Sequence, residues 1–182
     1  MVVLLAVLAP LTQSFVSADI AQVDQTRRFD AQENARQALD RMRKDIHCAH
    51  GVTDPTESLD VDGNVVQVTL LLTETAVPGA APECPGLVQT NASAVQWCTI
   101  KVSDDRYRLY RENDPSTICD GTASTFMVDY LTRADIWGSP TCITGQYPTV
   151  AVTMPVDLDP SKRPGAYTLR DEIALRNGDV CS

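Results

Sequence analysis

Apolar positions dominate the start of the chain and then recur with a helical period. Residues 1–16 read MVVLLAVLAPLTQSFV, the most apolar stretch of the sequence, and residues 17–50 contain neither Gly nor Pro. Apolar residues recur there at spacings of four and three, which places one apolar stripe along an amphipathic helix. The pattern predicts a helix over residues 2–50 that ends at a Gly51 cap, with a stripe that packs on a sheet: Ala35, Leu39, Met42 and Ile46.

The predicted helix is longer than a compact domain of this size needs. A helix over residues 2–50 extends for roughly 70 Å at about 1.5 Å per residue. Its first part has no counterpart in the rest of the chain that could cover it, so we expect lipid or other subunits to do so. The side chains expected to form this membrane or filament core are Val3, Leu4, Leu5, Val7, Leu8, Leu11 and Phe15.

After Gly51 the pattern changes from helical to strand-like. Alternating or β-branched apolar segments, separated by turn residues, predict strands at residues 65–75, 95–102, 106–111, 126–131, 149–156 and 167–175. Successive strands without intervening helices favour an antiparallel sheet. The sequence therefore predicts an α+β fold, in which the helix (residues 1–50) packs on a β-rich, disulfide-bonded head (residues 51–182).

Six cysteines are spread widely through the chain without a CxxC pair: Cys48, Cys84, Cys98, Cys119, Cys142 and Cys181. This spacing disfavours a zinc or thioredoxin-like site and favours up to three disulfides formed in an oxidising compartment. If strands 149–156 and 167–175 pair as a hairpin, their outer ends meet, and we expect a bond between Cys142 and Cys181. The other four cysteines could pair in any of three ways.

Charge and composition argue against several functions. The net charge is −9, and no basic–aromatic patch or glycine-rich phosphate loop is evident, so we expect no nucleic-acid partner. The only histidines, His47 and His50, flank Cys48 and indicate a polar helix end more than a metal site. Asp171 and Glu172 are adjacent in a strand and point to opposite faces. The sequence therefore predicts no catalytic residue, metal or cofactor, and a chain that is not an enzyme.

The apolar N-terminus allows three interpretations. It could be a membrane or filament segment, a cleaved signal peptide, or a buried core helix, although Pro10 disfavours the last. Small residues at Val16, Ser17 and Ala18 suit signal peptidase, but no Lys or Arg precedes the apolar run. We favour the membrane or filament segment, because the helical pattern continues directly from it.

The segment ENARQALDRMRKDIHCAHGV (residues 33–52), which continues an apolar helix, resembles the helix of type IV pilin-like proteins, close to the PilW and J-type pseudopilin groups. YTLRDEIALRN (residues 167–177) is similar to the closing strand of such proteins. The family's processing motif, Gly followed by Phe-Thr-Leu-Ile-Glu or similar, is not found ahead of the apolar run, so its cleavage and methylation are assigned to no residue.

The resemblance implies a pilin-like architecture and a structural role, as a minor pilin or pseudopilin of a type IV pilus-like or type II secretion-like filament. Its partners would be other pilin or pseudopilin subunits through the N-terminal helix, and the bacterial cytoplasmic (inner) membrane before assembly. The head would then lie outside the cell membrane, in a cell-surface or periplasmic filament. The alternative is a secreted, disulfide-rich binding domain that signal peptidase releases after Ala18.

Overall fold

The computed structural model describes residues 2–53, 56–58, 65–72, 94–113, 119, 121–122, 124–158, 167–176 and 179–181, with only the backbone of residues 2–11, 56–58, 65–66 and 72. Helix α1 (Val2–Cys48) is followed by strands β1 (Ala49–Val52), β2 (Thr56–Ser58), β3 (Val65–Leu72), β4 (Ala94–Ser103), β5 (Arg106–Glu112), β6 (Thr125–Leu131), β7 (Thr149–Val156) and β8 (Tyr167–Ala174). The strands form one antiparallel sheet in the order β1-β3-β4-β5-β6-β7-β8, and β2 pairs with β3.

The second half of α1 lies in the hollow of this sheet. It contacts β3 on one side of the sheet and β6, β7 and β8 on the other. Ala35, Met42 and Ile46 are completely buried, and Leu39 is 5% exposed. These side chains join inward-facing residues of the strands in one apolar core. A sheet that touches the helix from both sides is curled, and it forms a half-barrel around residues 31–46.

The prediction of a pilin-like α+β fold, with the long helix packed on one face of a small head, is wrong. The chain has one N-terminal helix and a curled antiparallel half-barrel, and most of its ordered structure is sheet. The pattern of apolar residues indicates which residues face inward, but it does not indicate how strongly a sheet bends. That bending depends on bulges and on pairing between distant segments.

The pairing of β6 with β5 is irregular at two places. Between the pairs Leu109–Val128 and Tyr107–Leu131, β6 is longer than β5 by one residue. A second shift of register lies between the pairs Leu109–Val128 and Tyr110–Phe126. Tyr130 lies in the extra length with φ of 63°, a left-handed conformation that bulky residues rarely adopt. Such bulges bend a strand and increase its twist.

Beyond the bulge the chain leaves β5 and runs beside β7. Leu131 pairs with Val156, and the following segment forms isolated bridges between Trp137 and Val152 and between Thr141 and Thr149. β7 is therefore paired on both sides along most of its length, with β8 on its other edge. Its strict alternation of buried and half-buried residues fits this position.

The six predicted strands correspond to β3–β8, with ends that differ by no more than three residues. Two elements were not predicted, β1 and β2, which pair with β3. The predicted helix cap at Gly51 is wrong, because α1 passes directly into β1 and Gly51 lies within that strand. Positive φ is found instead at Gly121 and Gly145 among the described glycines.

Disulfide bonds fasten the connections to the sheet. Cys142 and Cys181 are bonded as predicted, with their Cα atoms 5.6 Å apart. Cys98 in β4 is bonded to Cys119, with a Cα separation of 6.4 Å. Cys48 at the end of α1 is also disulfide-bonded, and Cys84 lies outside the described residues. Bonds of this kind are typical of proteins from extracellular or other oxidising compartments.

A buried ion pair joins α1 to the middle of the sheet. Asp45 is 2% exposed and accepts hydrogen bonds from Nε of Arg111 in β5 at 2.7 Å and from its Nη2 at 3.3 Å. Nε1 of Trp97 in β4 donates to the same carboxylate at 3.1 Å. Arg41 lies 3.5 Å from it, and Asn113 accepts from Arg111. Each charge of the buried pair is thus compensated and hydrogen-bonded.

Removal of one member of this pair should destabilise the protein strongly. In Arg111→Met, Asp45 keeps its buried charge but loses its main partner, and such a loss costs about 3–5 kcal/mol of unfolding free energy. Arg170→Met removes a pair with Glu172 that is exposed on both sides, so we expect a loss below about 0.5 kcal/mol. Urea unfolding of the disulfide-intact protein, followed by tryptophan fluorescence, measures both. Equal losses in the two variants would contradict the role given to the buried pair.

Candidate assembly surface

Helix α1 has two halves with opposite surroundings. From Ala31 onward, one side of the helix is buried in the half-barrel. Residues 12–30, here called the projecting segment, are exposed except for the half-buried Arg28. The segment nevertheless carries large apolar side chains that are open to solvent: Phe15 (70% exposed), Val16 (56%), Ile20 (65%), Val23 (51%) and Phe29 (70%).

These apolar residues form two separate faces of the projecting segment. A helix turns by about 100° per residue, so Phe15 and Phe29 lie close in angle and form what we call the phenylalanine face. Val16, Ile20 and Val23 follow a spacing of four and three and form the aliphatic face. The two faces point in directions roughly 120° apart. An exposed helix with two apolar faces has more apolar surface than one neighbour can cover.

A row of polar contacts fixes the helix along strand β8. Arg36 donates to the hydroxyl of Tyr167 at 3.0 Å, and Arg43 donates to Asp171 at 2.6 Å. The Nδ1–H of His47 donates to the carbonyl of Ala174 at 2.9 Å. The hydrogen bonds to Tyr167 and Asp171 raise the pKa of the Arg36 and Arg43 guanidinium groups, respectively. The order of these contacts shows that α1 runs parallel to β8, so the projecting segment leaves the sheet where β8 begins.

The exit point of the helix is marked by a small cavity. It has a volume of about 210 Å³ and lies between α1 and the adjoining ends of β7 and β8. Arg28 and Ala31 line it from the helix, and Val156 and Tyr167 line it from the sheet. The direction of the projecting segment is therefore set by contacts at its base, while the segment itself extends beyond the sheet.

Seven side chains of α1 are expected from the sequence to form the membrane or filament core. Phe15 is exposed, in keeping with its position on the projecting segment. The remaining residues belong to α1, but their side chains lie outside the described part: Val3, Leu4, Leu5, Val7, Leu8 and Leu11. In the described part of the chain, no helix is apolar over a length that could cross a membrane.

Sequence reasoning missed a cluster of arginine and aromatic side chains on the outer side of the sheet. Asp129 in β6 accepts from Arg106 through Nε at 2.8 Å and Nη2 at 2.5 Å, and from Nε of Arg108 at 3.1 Å. The Arg106 guanidinium lies 4.2 Å from the ring centre of Tyr130. Arg108 lies 5.9 Å from the ring centre of Phe126, which is 49% exposed. We call this cluster, together with Tyr110, the arginine–aromatic surface.

The two guanidinium groups determine the charge state at the centre of this surface. Burial alone would raise the pKa of the Asp129 carboxyl, but hydrogen bonds from Arg106, the Tyr130 amide and Arg108 outweigh it, so that pKa lies below its ordinary value. The bonds to Asp129 raise the pKa of Arg106 and Arg108. Two cations share one anion, so the surface keeps a net positive charge on an acidic chain.

A signal for this cluster is present in the sequence. In β5, Arg106, Arg108 and Tyr110 occupy alternate positions and therefore share one face of the strand. The neighbouring residues Leu109 and Arg111 face the helix. The aromatic residues of β6 that complete the cluster could not be aligned with β5 from sequence, because the bulges shift their register.

Comparison with known proteins identified no relative of this chain. No protein-family model matches the chain, and neither does any curated protein or solved structure with which it was compared.

The depressed pKa of Asp129 predicts a specific dependence of stability on pH. A carboxyl with a lowered folded-state pKa stabilises the fold above its ordinary pKa of 3.8, and this contribution disappears as the pH falls through the folded-state value. With allowance for solvent screening, Asp129→Asn should lose about 1 kcal/mol of unfolding free energy at pH 7.

The difference in unfolding free energy between wild type and Asp129→Asn should shrink as the pH is lowered below the ordinary carboxyl pKa of 3.8. Urea unfolding at a series of pH values between neutral and acidic measures it. Asp135→Asn is the matched control, because its ion pair with Arg133 is exposed on both sides and should contribute little at any pH. A difference for Asp129→Asn that stays constant across this range would show that its charge is not the cause.

Proposed function

We propose that this chain is a structural subunit of an extracytoplasmic assembly, in which the projecting segment packs against the corresponding helices of other copies. The observation that carries the proposal is the exposure of five large apolar side chains on a part of the helix that the described residues leave uncovered. Exposed apolar surface of this extent on an ordered element is typical of interaction sites.

Two properties of the segment favour other helices as its partners. Isolated helices of this length are marginal in water, and most helical stability in proteins comes from packing. Apolar faces in two directions require neighbours on at least two sides, which a bundle of helices provides and a single flat surface does not. The sequence resemblance of residues 33–52 to pseudopilins supports an assembly with a helical core, such as a cell-surface or periplasmic filament of the pilus or secretion type.

The half-barrel suits the outer part of such an assembly. Its disulfides are compatible with an oxidising environment, and the bonds along β8 hold the helix at a fixed orientation relative to the sheet. A rigid connection of this kind transmits the arrangement of the helices to the bodies of the subunits. Neither feature requires a catalytic centre, in keeping with a structural role.

The alternative is a secreted binding domain that begins at Asp19 after signal peptidase cleavage. It is favoured by the burial pattern, because the core draws on α1 only from Ala31 onward and does not depend on residues 12–18. Such a product would keep Ile20, Val23 and Phe29 exposed. Sequencing the N-terminus of the mature protein separates the two functions: a start at Asp19 supports the secreted domain and contradicts the assembly subunit.

The proposal predicts that self-association depends on both apolar faces. The double variant Phe15→Ser/Phe29→Ser and the triple variant Val16→Ser/Ile20→Ser/Val23→Ser should each weaken association of the full-length chain at least about tenfold, since each removes buried apolar area between copies. Sedimentation velocity over a range of concentrations measures the effect.

Ser17→Lys serves as the matched control, because Ser17 lies on the same segment about 100° from the nearest apolar face and bonds only to the Gln13 carbonyl. Its association should equal that of wild type. A wild-type chain that remains monomeric at about 100 µM would contradict the proposal, and so would equal weakening by Ser17→Lys.

A further inference from the structure

We infer that the arginine–aromatic surface of one copy receives the aliphatic face of the projecting segment of a second copy, with Asp19 paired to Arg108. This inference rests on the proposed function, since it requires that copies associate through the segment. Within the assembly, the phenylalanine face makes the contact between helices, and the aliphatic face makes a second kind of contact, between helix and sheet. Two observations carry the inference: the exposed Asp19 carboxylate at the border of the aliphatic face, which takes part in no ion pair among the described residues, and the half-buried Arg108 guanidinium near the exposed ring of Phe126.

The arginine–aromatic surface, which supplies the cation of the contact, is held in place by its own hydrogen bonds. Asp129, 16% exposed, holds Arg106 through two hydrogen bonds and Arg108 through one. Arg108 uses only its Nε for this bond and also hydrogen-bonds Tyr110, and its guanidinium carries enough N–H donors to bind a second carboxylate as well. Phe126 presents an exposed ring beside it. An anionic group flanked by apolar side chains fits this combination of charge and ring surface.

The aliphatic face of the projecting segment has the complementary chemistry. Asp19 is exposed and lies between Val16 and Val23, three residues from one and four from the other, with Ile20 beside it. Among the described residues it takes part in no ion pair. Arg27 lies in line with the aliphatic face, about 80° around the helix from Asp19 and about 12 Å further along it, so the end of the face near Asp19 is the acidic one.

The dimensions of the two surfaces agree. Val16 to Val23 spans about 10 Å of helix, and Arg106 to Tyr110 spans about 13 Å of strand. The two surfaces cannot meet within one chain, because α1 lies in the hollow of the sheet and Arg108 lies on the outer side. A contact between two different surfaces of identical chains is heterologous and propagates into an open assembly.

The backbone at Tyr130 indicates that its ring is required in this place. Its left-handed conformation, with φ of 63°, is one that glycine adopts without strain and tyrosine does not. The ring packs under Arg106 and so supports the pair of guanidinium groups. Tyr130→Gly should keep the bulge but removes the ring both from Arg106 and from the core against which it packs. Where thermal unfolding shows that the monomer remains folded, association between copies should weaken about threefold or more.

A charge exchange tests the pairing directly. In the full-length, disulfide-intact chain, Arg108→Glu and Asp19→Arg should each weaken association about tenfold or more, because each places like charges in contact. The double variant restores an opposite-charge pair and should associate within about threefold of wild type. Sedimentation velocity measures association, and thermal unfolding of each variant monitors the monomer. Arg133→Glu, which alters an exposed arginine elsewhere on the body, is the control and should leave association unchanged.

Three other results of the association measurements would overturn the pairing of Asp19 with Arg108. If Arg108→Glu disturbs only the fold of the monomer, Asp19→Arg cannot repair it, so single losses without recovery overturn the pairing. If both single variants associate like wild type while Phe15→Ser/Phe29→Ser does not, the helix contact stands and the helix-to-sheet contact is overturned. If wild type does not associate at all, the proposed function falls, and this inference with it.

Discussion

The burial of residues 31–46 of α1 within the curled sheet is the interaction on which the rest of the structure depends. Its fixed point is the Asp45 carboxylate, which Arg111 and Trp97 reach from two neighbouring strands. A buried charge is tolerated only when such partners are in place. The pair therefore couples the position of the helix to the pairing of β4 with β5, and a helix shifted by one residue would separate the Asp45 carboxylate from Arg111 and Trp97.

The anchoring of one half of the helix explains the exposure of the other. The row of bonds from Arg36, Arg43 and His47 to β8 ends near the start of that strand, and beyond the exit cavity the half-barrel offers no further contact to the projecting segment. Its apolar faces are consequently held in a fixed direction relative to the sheet. The half-barrel thus carries a helical segment whose large apolar side chains are exposed.

Local pattern predicted local structure in this chain. The spacing of apolar residues identified α1 and the strands β3–β8, and hairpin geometry identified the bond between Cys142 and Cys181. The half-barrel was not predicted, because the bending of a sheet depends on features such as the register shifts between β5 and β6, which the apolar pattern does not show. Asp45 looked like one of many charged residues on the polar side of the helix, yet its partner Arg111 is 66 residues away, and no periodicity reveals such a pairing.

The two candidate surfaces also differ in how far the sequence could predict them. The apolar segment was recognisable from sequence, although its division into two faces required the observed exposure. The arginine–aromatic surface was missed because its members come from two strands whose alignment depends on the left-handed Tyr130. The two surfaces come from different parts of the chain, and the proposed association of copies would bring them together.

Hydrogen–deuterium exchange at several protein concentrations tests the proposed association most directly. Amides of residues 31–46 should be protected at every concentration, because their helix is buried within one chain. Amides of residues 12–30 should exchange rapidly in dilute solution and become protected as the concentration rises, since only neighbouring copies cover that segment. Exchange of residues 12–30 that is independent of concentration would contradict the account.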